Sequence, residues 1–410
     1  MAESPTPPPF AGLRVLDFGV GAVGVEVGRF FAEYGADVVK VESSTAPDFI
    51  RTITPEGMNP AFASSSRSKR GLGVNLKDAR GLALVRKLAR LADVVIENNG
   101  AGVMDRLGIG YESLRAENPR LVYFSSNLTG SRGPWSGWIG YGPSTHPVSG
   151  MQHLWNFPED EARPAGSTNI YPDHFVGRLG ALATVAGLFQ RERSGVGYHA
   201  EAAQFEGAIG FIGDWLARES LAPGSVHPRG NASERGAPWG AYPCAGEDEW
   251  CAICVRSDAE WQALRELLGS PDWTTRPEFA TALGRIAARE QIDRHLSVWT
   301  RAHAPHDVMH RLQAAGVPAA ALHHPAHELA DPHLRARGYL QTFEQPPLGR
   351  IVAEGPAFRG SALPAPIQWA APMLGEHSRE ICAEWLGLPE AELDVLFSEG
   401  VLEEPIRPAS

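Results

Sequence analysis

Two periodicities alternate along the chain. Residues 13–18 are a short apolar run, a glycine-bearing turn follows, residues 26–34 place apolar side chains at helical spacing, and 36–42 form a second apolar run. Strand, turn, helix and strand in that order predict a βαβ unit with parallel pairing. The pattern recurs. Residues 79–92 read as an amphipathic helix carrying Leu82, Leu84, Val85, Leu88 and Leu91, and short strands are predicted over 93–97 and 121–125. This alternation argues an α/β fold with helices on both faces of the sheet.

Residues 176–191 predict a long apolar helix whose Ala and Gly residues allow close packing. Glycines at 195 and 197 turn the chain into 198–204, and a further helix runs to about Ser220. The Gly-, Pro- and polar-rich stretch 223–238 marks a domain boundary. Beyond Trp239, strands near Ala241 and Cys251 and short helices over 260–268, 285–300 and 306–315 predict a smaller α+β domain. Residues 346–372 are proline-rich and read as extended, and helices follow over 375–386 and 390–399.

A chain of 410 residues is long enough for two domains. Lys and Arg number 37 against 48 Asp and Glu, a formal net charge of −11. That balance repels nucleic acid and anionic membranes, so neither is expected as a partner, while a local basic spot can still take an anionic ligand. No apolar run reaches the ~18 residues of a membrane-spanning helix. Residues 1–10 read as a loose tail, without the charged and apolar regions of a secretion signal. Four cysteines make no disulfide framework and fit a reducing cytoplasm. Cys251-x-x-Cys254 looks like half a zinc site with no second half and reads as strand packing. His323 and His324 fall in a turn and lack further ligands, so no metal is expected.

Gly19-Val-Gly21-Ala-Val-Gly24 follows a predicted strand and opens a helix, and Glu42 ends the next strand. This spacing matches the dinucleotide fingerprint, in which bare amides at a helix N-terminus cradle a pyrophosphate and the acid takes the ribose hydroxyls. The same glycines also serve a tight turn with close packing, and the motif alone leaves both readings open.

Longer stretches narrow the choice. Leu16-Asp-Phe18, Gly24, residues 28–42, Lys69-Arg70, 74–77, 92–98, 102–111 and 118–123 come first. Asp173 follows, with Gly177 four residues on, and then 316–319, 330–338 and 374–377. Through these segments, from Leu13 to Val401, the sequence resembles the family III CoA-transferases, which include formyl-CoA and carnitine CoA-transferases. The resemblance implies a Rossmann-like large domain built from both chain ends, over 11–224 and 336–410, and a smaller domain over 225–335. It also implies two chains interlocked as a dimer. The first βαβ unit then binds CoA rather than NAD, with an acyl-CoA thioester and a carboxylic acid as substrates and no permanently bound cofactor.

The resemblance places Asp173 as the nucleophile. A carboxylate attacks a thioester carbonyl and also leaves readily, as CoA transfer between acids requires. Without the resemblance, Asp173 after Pro172 reads as a helix N-cap. Carried over by position, Lys77 and Arg106 meet the CoA phosphates, Val74, Asn98 and Asn99 contact CoA through backbone or amide, and the loop through Trp138, Gly140 and Tyr141 borders the thiol end. Three departures stand out. Ser43 replaces an arginine, Ala22 a polar side chain near the reacting carbonyl, and Asn99-Gly100-Ala101 an aromatic-x-Pro. They raise the reading that a sister subunit supplies contacts this chain lacks, making the assembly a heteromer rather than a homodimer. Racemases of the superfamily carry Gly-His-Asp where this chain has Gly140-Tyr141-Gly142, which disfavours two-base proton transfer unless His146 substitutes. The segment 125–142, with Trp135, is similar to the branch that includes benzylsuccinate CoA-transferase, which uses succinyl-CoA and has two kinds of subunit.

Overall fold

The computed structural model describes residues 7–54, 57–158, 165, 170–361, 363 and 367–405. Its strands are β1 (Arg14–Phe18), β2 (Asp37–Glu42), β3 (Arg70–Val74), β4 (Val94–Glu97), β5 (Val122–Asn127), β6 (Tyr198–Ala203), β7 (Trp239–Pro243), β8 (Trp250–Cys254), β9 (Ala319–Ala321), β10 (Leu340–Gln345), β11 (Gly349–Glu354) and β12 (Leu402–Glu403). Seven of them form one sheet in the order β12-β3-β2-β1-β4-β5-β6. All neighbours are parallel except β12, which runs antiparallel to β3.

Val15 on β1 pairs with Val38 on β2 and Val94 on β4, so one row of valines crosses the sheet. The alternation of side chains along each strand then builds two cores. Leu16, Val39, Leu72 and Val95 face the helices Ala79–Leu91 and Ser378–Leu386, meeting Leu84, Leu88 and Ile381. Val15, Val38, Val94 and Phe124 face the helices Val23–Glu33 and Tyr171–Ser194, meeting Val27, Phe31 and Val176. Strands buried on both faces are read from sequence as continuous apolar runs, which is why these were recognisable. The two helices of the second layer approach closely because Gly177 carries no side chain: a Cβ there would lie 2.8 Å from Glu26 Cβ.

The chain divides into two compact units. The first comprises Met1–Met151, Gly166–Ser220 and His333–Ser410, and holds the seven-stranded sheet and the β10-β11 hairpin. The second comprises Gln152–Ala165 and Leu221–Pro332. There the antiparallel sheet β7-β8-β9 packs Cys251 and Ile253 against Trp261, Leu264, Leu296 and Leu312. Residues 152–165 fall within the span read as the large domain, yet the second unit takes them; so short a segment has no periodicity to show which core it joins.

Two other expectations change. Residues 1–6 of the expected tail lie outside the described residues, but Phe10 is not loose: its ring packs 4.8 Å from Phe31 and its N–H donates to Tyr34 O. Within the stretch expected to be extended over 346–372, residues 349–354 form β11 and pair with β10, Phe343 opposite Ile351. No helix among the described residues is long and apolar enough to cross a membrane.

Candidate active site

The order of the large sheet reverses direction between β1 and β4, and a crevice opens at the carboxyl ends of strands flanking such a switch point. A cavity of about 480 Å³ lies there. Its walls are residues 20–23 of the first turn, Phe49 and Ile50, Asn98, Asn99 and Gly100 after β4, Asn127 and Leu128 at the end of β5, the loop 138–143, and Ile170, Asp173 and Gln204.

The glycine-rich turn is pinned by the protein itself. Gly21 has φ +74°, and a Cβ on it would sit 2.6 Å from the Phe49 ring; one on Gly24 would sit 2.6 Å from Asn98 Oδ1. Val20 N–H donates to Asn98 Oδ1 at 2.7 Å, and Asn98 Nδ2 donates back to Val20 O at 2.8 Å. Gly21 N–H donates to Asp48 Oδ1 at 3.0 Å. Two amides that a pyrophosphate would need are therefore engaged. Glu42, the acid of the fingerprint, accepts from Arg51 Nε and Nη2 at 3.1 and 2.8 Å. The dinucleotide motif is a packing motif here, and its acid is half of a buried ion pair.

Beneath the turn lies a buried charge cluster. Lys69 Nζ is 2.7 Å from Asp17 Oδ2, Lys40 Nζ is 3.1 Å from Asp48 Oδ2, and Lys40 also donates to Gly19 O. Burial alone would raise Glu42 and Asp48, but Lys40, with Arg51 for Glu42 and backbone N–H donors for Asp48, outweighs it and holds both below the usual carboxylate range.

Asp173 stands differently. The helix Tyr171–Ser194 begins earlier than its apolar period suggests and has Ile170 at its N-cap, so Asp173 lies within the first turn rather than capping it. Its N–H donates to Ile170 O at 3.0 Å. Asp173 is only 5% exposed, and its Oδ1 has no hydrogen-bond partner among the described residues. Gly142 faces Oδ2 so closely that any Cβ would collide with it. Burial pushes the Asp173 pKa from 3.8 up to about 6, with His174 pulling weakly the other way. A carboxylate in the first turn of a helix keeps some stabilisation from the dipole. The result is a buried carboxylate, largely ionised at neutral pH, with one oxygen unpartnered among the described residues, on a residue that lines the cavity.

The expected site residues divide into two groups. Asn98, Asn99, Trp138, Gly140 and Tyr141 line the cavity with Asp173. Asn98 spends both amide atoms on Val20, so it shapes the wall, and Asn99 N–H donates to Glu97 Oε2 at 2.7 Å. Burial pushes Glu97 up to about 7, against the Asn99 donors. Tyr141 meets Phe49 edge-on at 5.6 Å, and Trp138 stacks on Trp135 at 4.6 Å, forming an exposed aromatic rim. Val74, Lys77 and Arg106 lie outside the cavity lining. Val74 is fully buried in the core at the end of β3, while Lys77 and Arg106 are exposed.

Sequence reasoning passed over Phe49, Asn127 and Gln204. Asn127 ends β5 and Gln204 directly follows β6 as the first residue of the helix Gln204–Phe211, so both stand at the carboxyl ends of parallel strands, a position that topology marks for ligand contact. His146 is buried in the helix Thr145–Ser149 and does not line the cavity, so nothing places it as a second base for racemisation. In the second unit, Cys251 is in the core and Cys254, three residues on, lies on the other face of β8; they are not paired ligands. The expectation that His323 and His324 lack further ligands is corrected, because Glu249 and His327 fold beside His324.

Residues 10–378 match the family described as CoA-transferase family III. The chain is 36% identical, over 98% of its length, to a probable CoA-transferase of Mycobacterium tuberculosis, and spans about half the length of that protein, 52%. It is 30% identical to the succinyl-CoA–D-citramalate CoA-transferase of Chloroflexus aurantiacus, covering 98% of this chain and 100% of that one. The crystal structure of a CAIB/BAIF family protein from Brucella suis superposes with a TM-score of 0.83 at 30% identity, over 93% of this chain and 100% of that chain. With a buried carboxylate at the switch point of a parallel sheet and this match across nearly its whole length, the chain belongs to CoA-transferase family III and is a CoA-transferase.

Proposed function

We propose that this chain moves CoA from an acyl-CoA donor to a carboxylic acid through a thioester on Asp173, with succinyl-CoA as donor. The observation that carries the reading is the unpartnered Oδ1 of a buried Asp173 on the cavity wall. Asp173 attacks the thioester carbonyl, the C–S bond breaks, and a mixed anhydride forms with CoA thiolate as leaving group. The thiolate attacks the aspartyl carbonyl, and the donor acid leaves as its carboxylate. The acceptor carboxylate then attacks aspartyl-CoA, expels thiolate and forms a second anhydride. Thiolate attacks its acyl carbon and returns Asp173 as a carboxylate. No proton is consumed and the thioester energy is retained. A cavity that buries Asp173 also keeps water from the anhydrides.

The choice of succinyl-CoA rests on the likeness to the Chloroflexus enzyme. Lys77 and Arg106, both exposed, meet the CoA phosphates, with the backbone around Val74 beside them. Leu182 and Phe189 on the helix Tyr171–Ser194 are two-thirds exposed, an apolar face that a second copy or a sister subunit covers. Incubation with succinyl-CoA, quenching with hydroxylamine or borohydride and mass spectrometry of the Asp173 peptide tests the reading. A donor-dependent mass change that disappears in Asp173→Ala is expected. Its absence in a protein that still turns over would remove the covalent route.

A further inference from the structure

The second unit holds a group of side chains that CoA transfer does not use. Five of the chain's fourteen histidines fall within residues 306–327. His306 and His310 are one turn apart on the helix Pro305–Ala314, and His324 and His327 flank the first turn of the helix Pro325–Ala330. The fold brings these two starts together at the β7–β8 turn, which presents Glu249. One ligand atom from each of Glu249, His324 and His327 lies within 4.8 Å of the other two. The rings of His324 and His327 are 3.7 Å apart, and His327 Nε2 is 3.9 Å from Glu249 Oε1. His306 and His323 stand next to them, their Nε2 atoms 3.1 Å apart and their rings 5.7 and 5.8 Å from that of His327.

His310, His323 and His324 are exposed and His306 is half-buried, but His327 Nδ1 is a buried atom with no hydrogen-bond partner among the described residues, which is unfavourable. Two imidazoles and a carboxylate make a common donor set for zinc, with bonds of about 2.0–2.2 Å and ligand atoms about 3.4 Å apart in a tetrahedron. The present spacing reaches that by side-chain rotation. We propose that Glu249, His324 and His327 bind a divalent transition-metal ion of the zinc class, with His306 or His323 completing the tetrahedron. The ion would tie the β7–β8 turn to the segment after β9. Hard cations such as Mg2+, which prefer oxygen, should not compete. The buried thiols nearby are poor rivals, since burial pushes Cys251 up to about 12.

The test uses the full chain without a histidine tag, stripped with chelator, and with no CoA present because its thiol binds zinc. Co2+ should give the intense visible bands of a four-coordinate site, and about one Zn2+ per chain should displace it while Mg2+ does not. In His324→Ala/His327→Ala the bands should vanish and zinc affinity fall at least about 100-fold. CoA transfer without metal should match the wild type, because these residues are outside the cavity at Asp173. Glu249→Gln serves as an independent variant should the double variant misfold, and should weaken zinc at least about tenfold. Wild-type protein that takes up no stoichiometric Zn2+, or folded variants that retain it with unchanged affinity, would overturn the proposal.

Discussion

Buried carboxylates occupy two settings in the large unit. Beneath the first turn, Asp17 meets Lys69, Asp48 meets Lys40 and Glu42 meets Arg51, each at 2.7–3.1 Å. Asp173 is nearly as buried and meets no such cation in hydrogen-bond contact among the described residues. The same removal from water therefore has opposite consequences. Where a cation is supplied, Glu42 and Asp48 stay below the ordinary carboxylate range despite burial, and their lone pairs are saturated by Arg51, Lys40 and backbone N–H groups. Where none is supplied, burial lifts Asp173 to about 6 and leaves a lone pair unused. The first setting holds the turn in one geometry. The second keeps a poorly solvated carboxylate, and weak solvation of a charge is a cost in the ground state that the proposed attack on a carbonyl would relieve.

The largest effect should come from breaking the paired setting. Lys69→Met removes one partner of a fully buried pair and strands Asp17, which among the described residues then keeps the Gly19 N–H at 2.7 Å. Removing one member of such a pair costs about 3–5 kcal/mol. Urea unfolding should show this as a lower midpoint. A loss under ~1 kcal/mol would mean that the cluster is not what holds the turn, and the contrast with Asp173 would collapse.

The opposite sign is expected at Asp173. Its folded pKa of about 6 lies above its ordinary 3.8, so the fold favours the protonated form. That stabilisation is complete below pH ~4 and is lost as pH rises through about 6, leaving an ionised group that costs about 2–3 kcal/mol at pH 8. Asp173→Asn is neutral throughout. It should abolish transfer yet unfold at a higher urea concentration than the wild type at pH 8, with the gap closing towards pH 4. A variant no more stable than the wild type at pH 8 would show that Asp173 is paired in solution after all.

How much of this was legible beforehand follows from the range of each interaction. Four strands of the large sheet, β1, β2, β4 and β5, were readable because parallel strands buried on both faces are short, unbroken apolar runs, and they lie within a residue or two of their expected bounds, whereas β3 and β12 were not read as strands. The start of the helix at Asp173 was not, because Tyr171-Pro-Asp173 has none of the apolar period that begins at Val176. Pairings far apart in sequence were also hidden. Nothing local ties Asn98 to Val20, 78 residues away, or Asp17 to Lys69, 52 away. The dinucleotide motif misled for that reason: its glycines and its acid are satisfied by Asn98, Asp48 and Arg51, none of which the motif contains. Asp173 itself was singled out by resemblance, since aspartate after proline near a helix start is ordinary. His323 and His324 were visible as neighbours in sequence, but Glu249, which joins His324 and His327, comes from the distant β7–β8 turn.

The smallest change that still reaches the unpaired carboxylate is at Gly142. No left-handed φ is required there, so alanine is allowed by the backbone and only the space is wrong. Its Cβ would strike Asp173 Oδ2 and lie 2.7 Å from Ile170 Cγ2, pushing the carboxylate from the wall it now occupies. A misplacement of about 1 Å at a reacting group costs up to ~100-fold in rate. Gly142→Ala should therefore lower kcat by about 10- to 100-fold while the KM for the acyl-CoA changes little, because on the proposed reading the phosphates meet Lys77 and Arg106, outside the cavity lining. It should also leave the midpoint of urea unfolding near that of the wild type, in contrast to Lys69→Met. Equal losses in kcat and stability would mean that the loop 138–143 supports the fold as the charge cluster does. Loss of kcat alone would separate the two settings, one built to hold shape and the other to hold an unpaired carboxylate in the wall of a cavity.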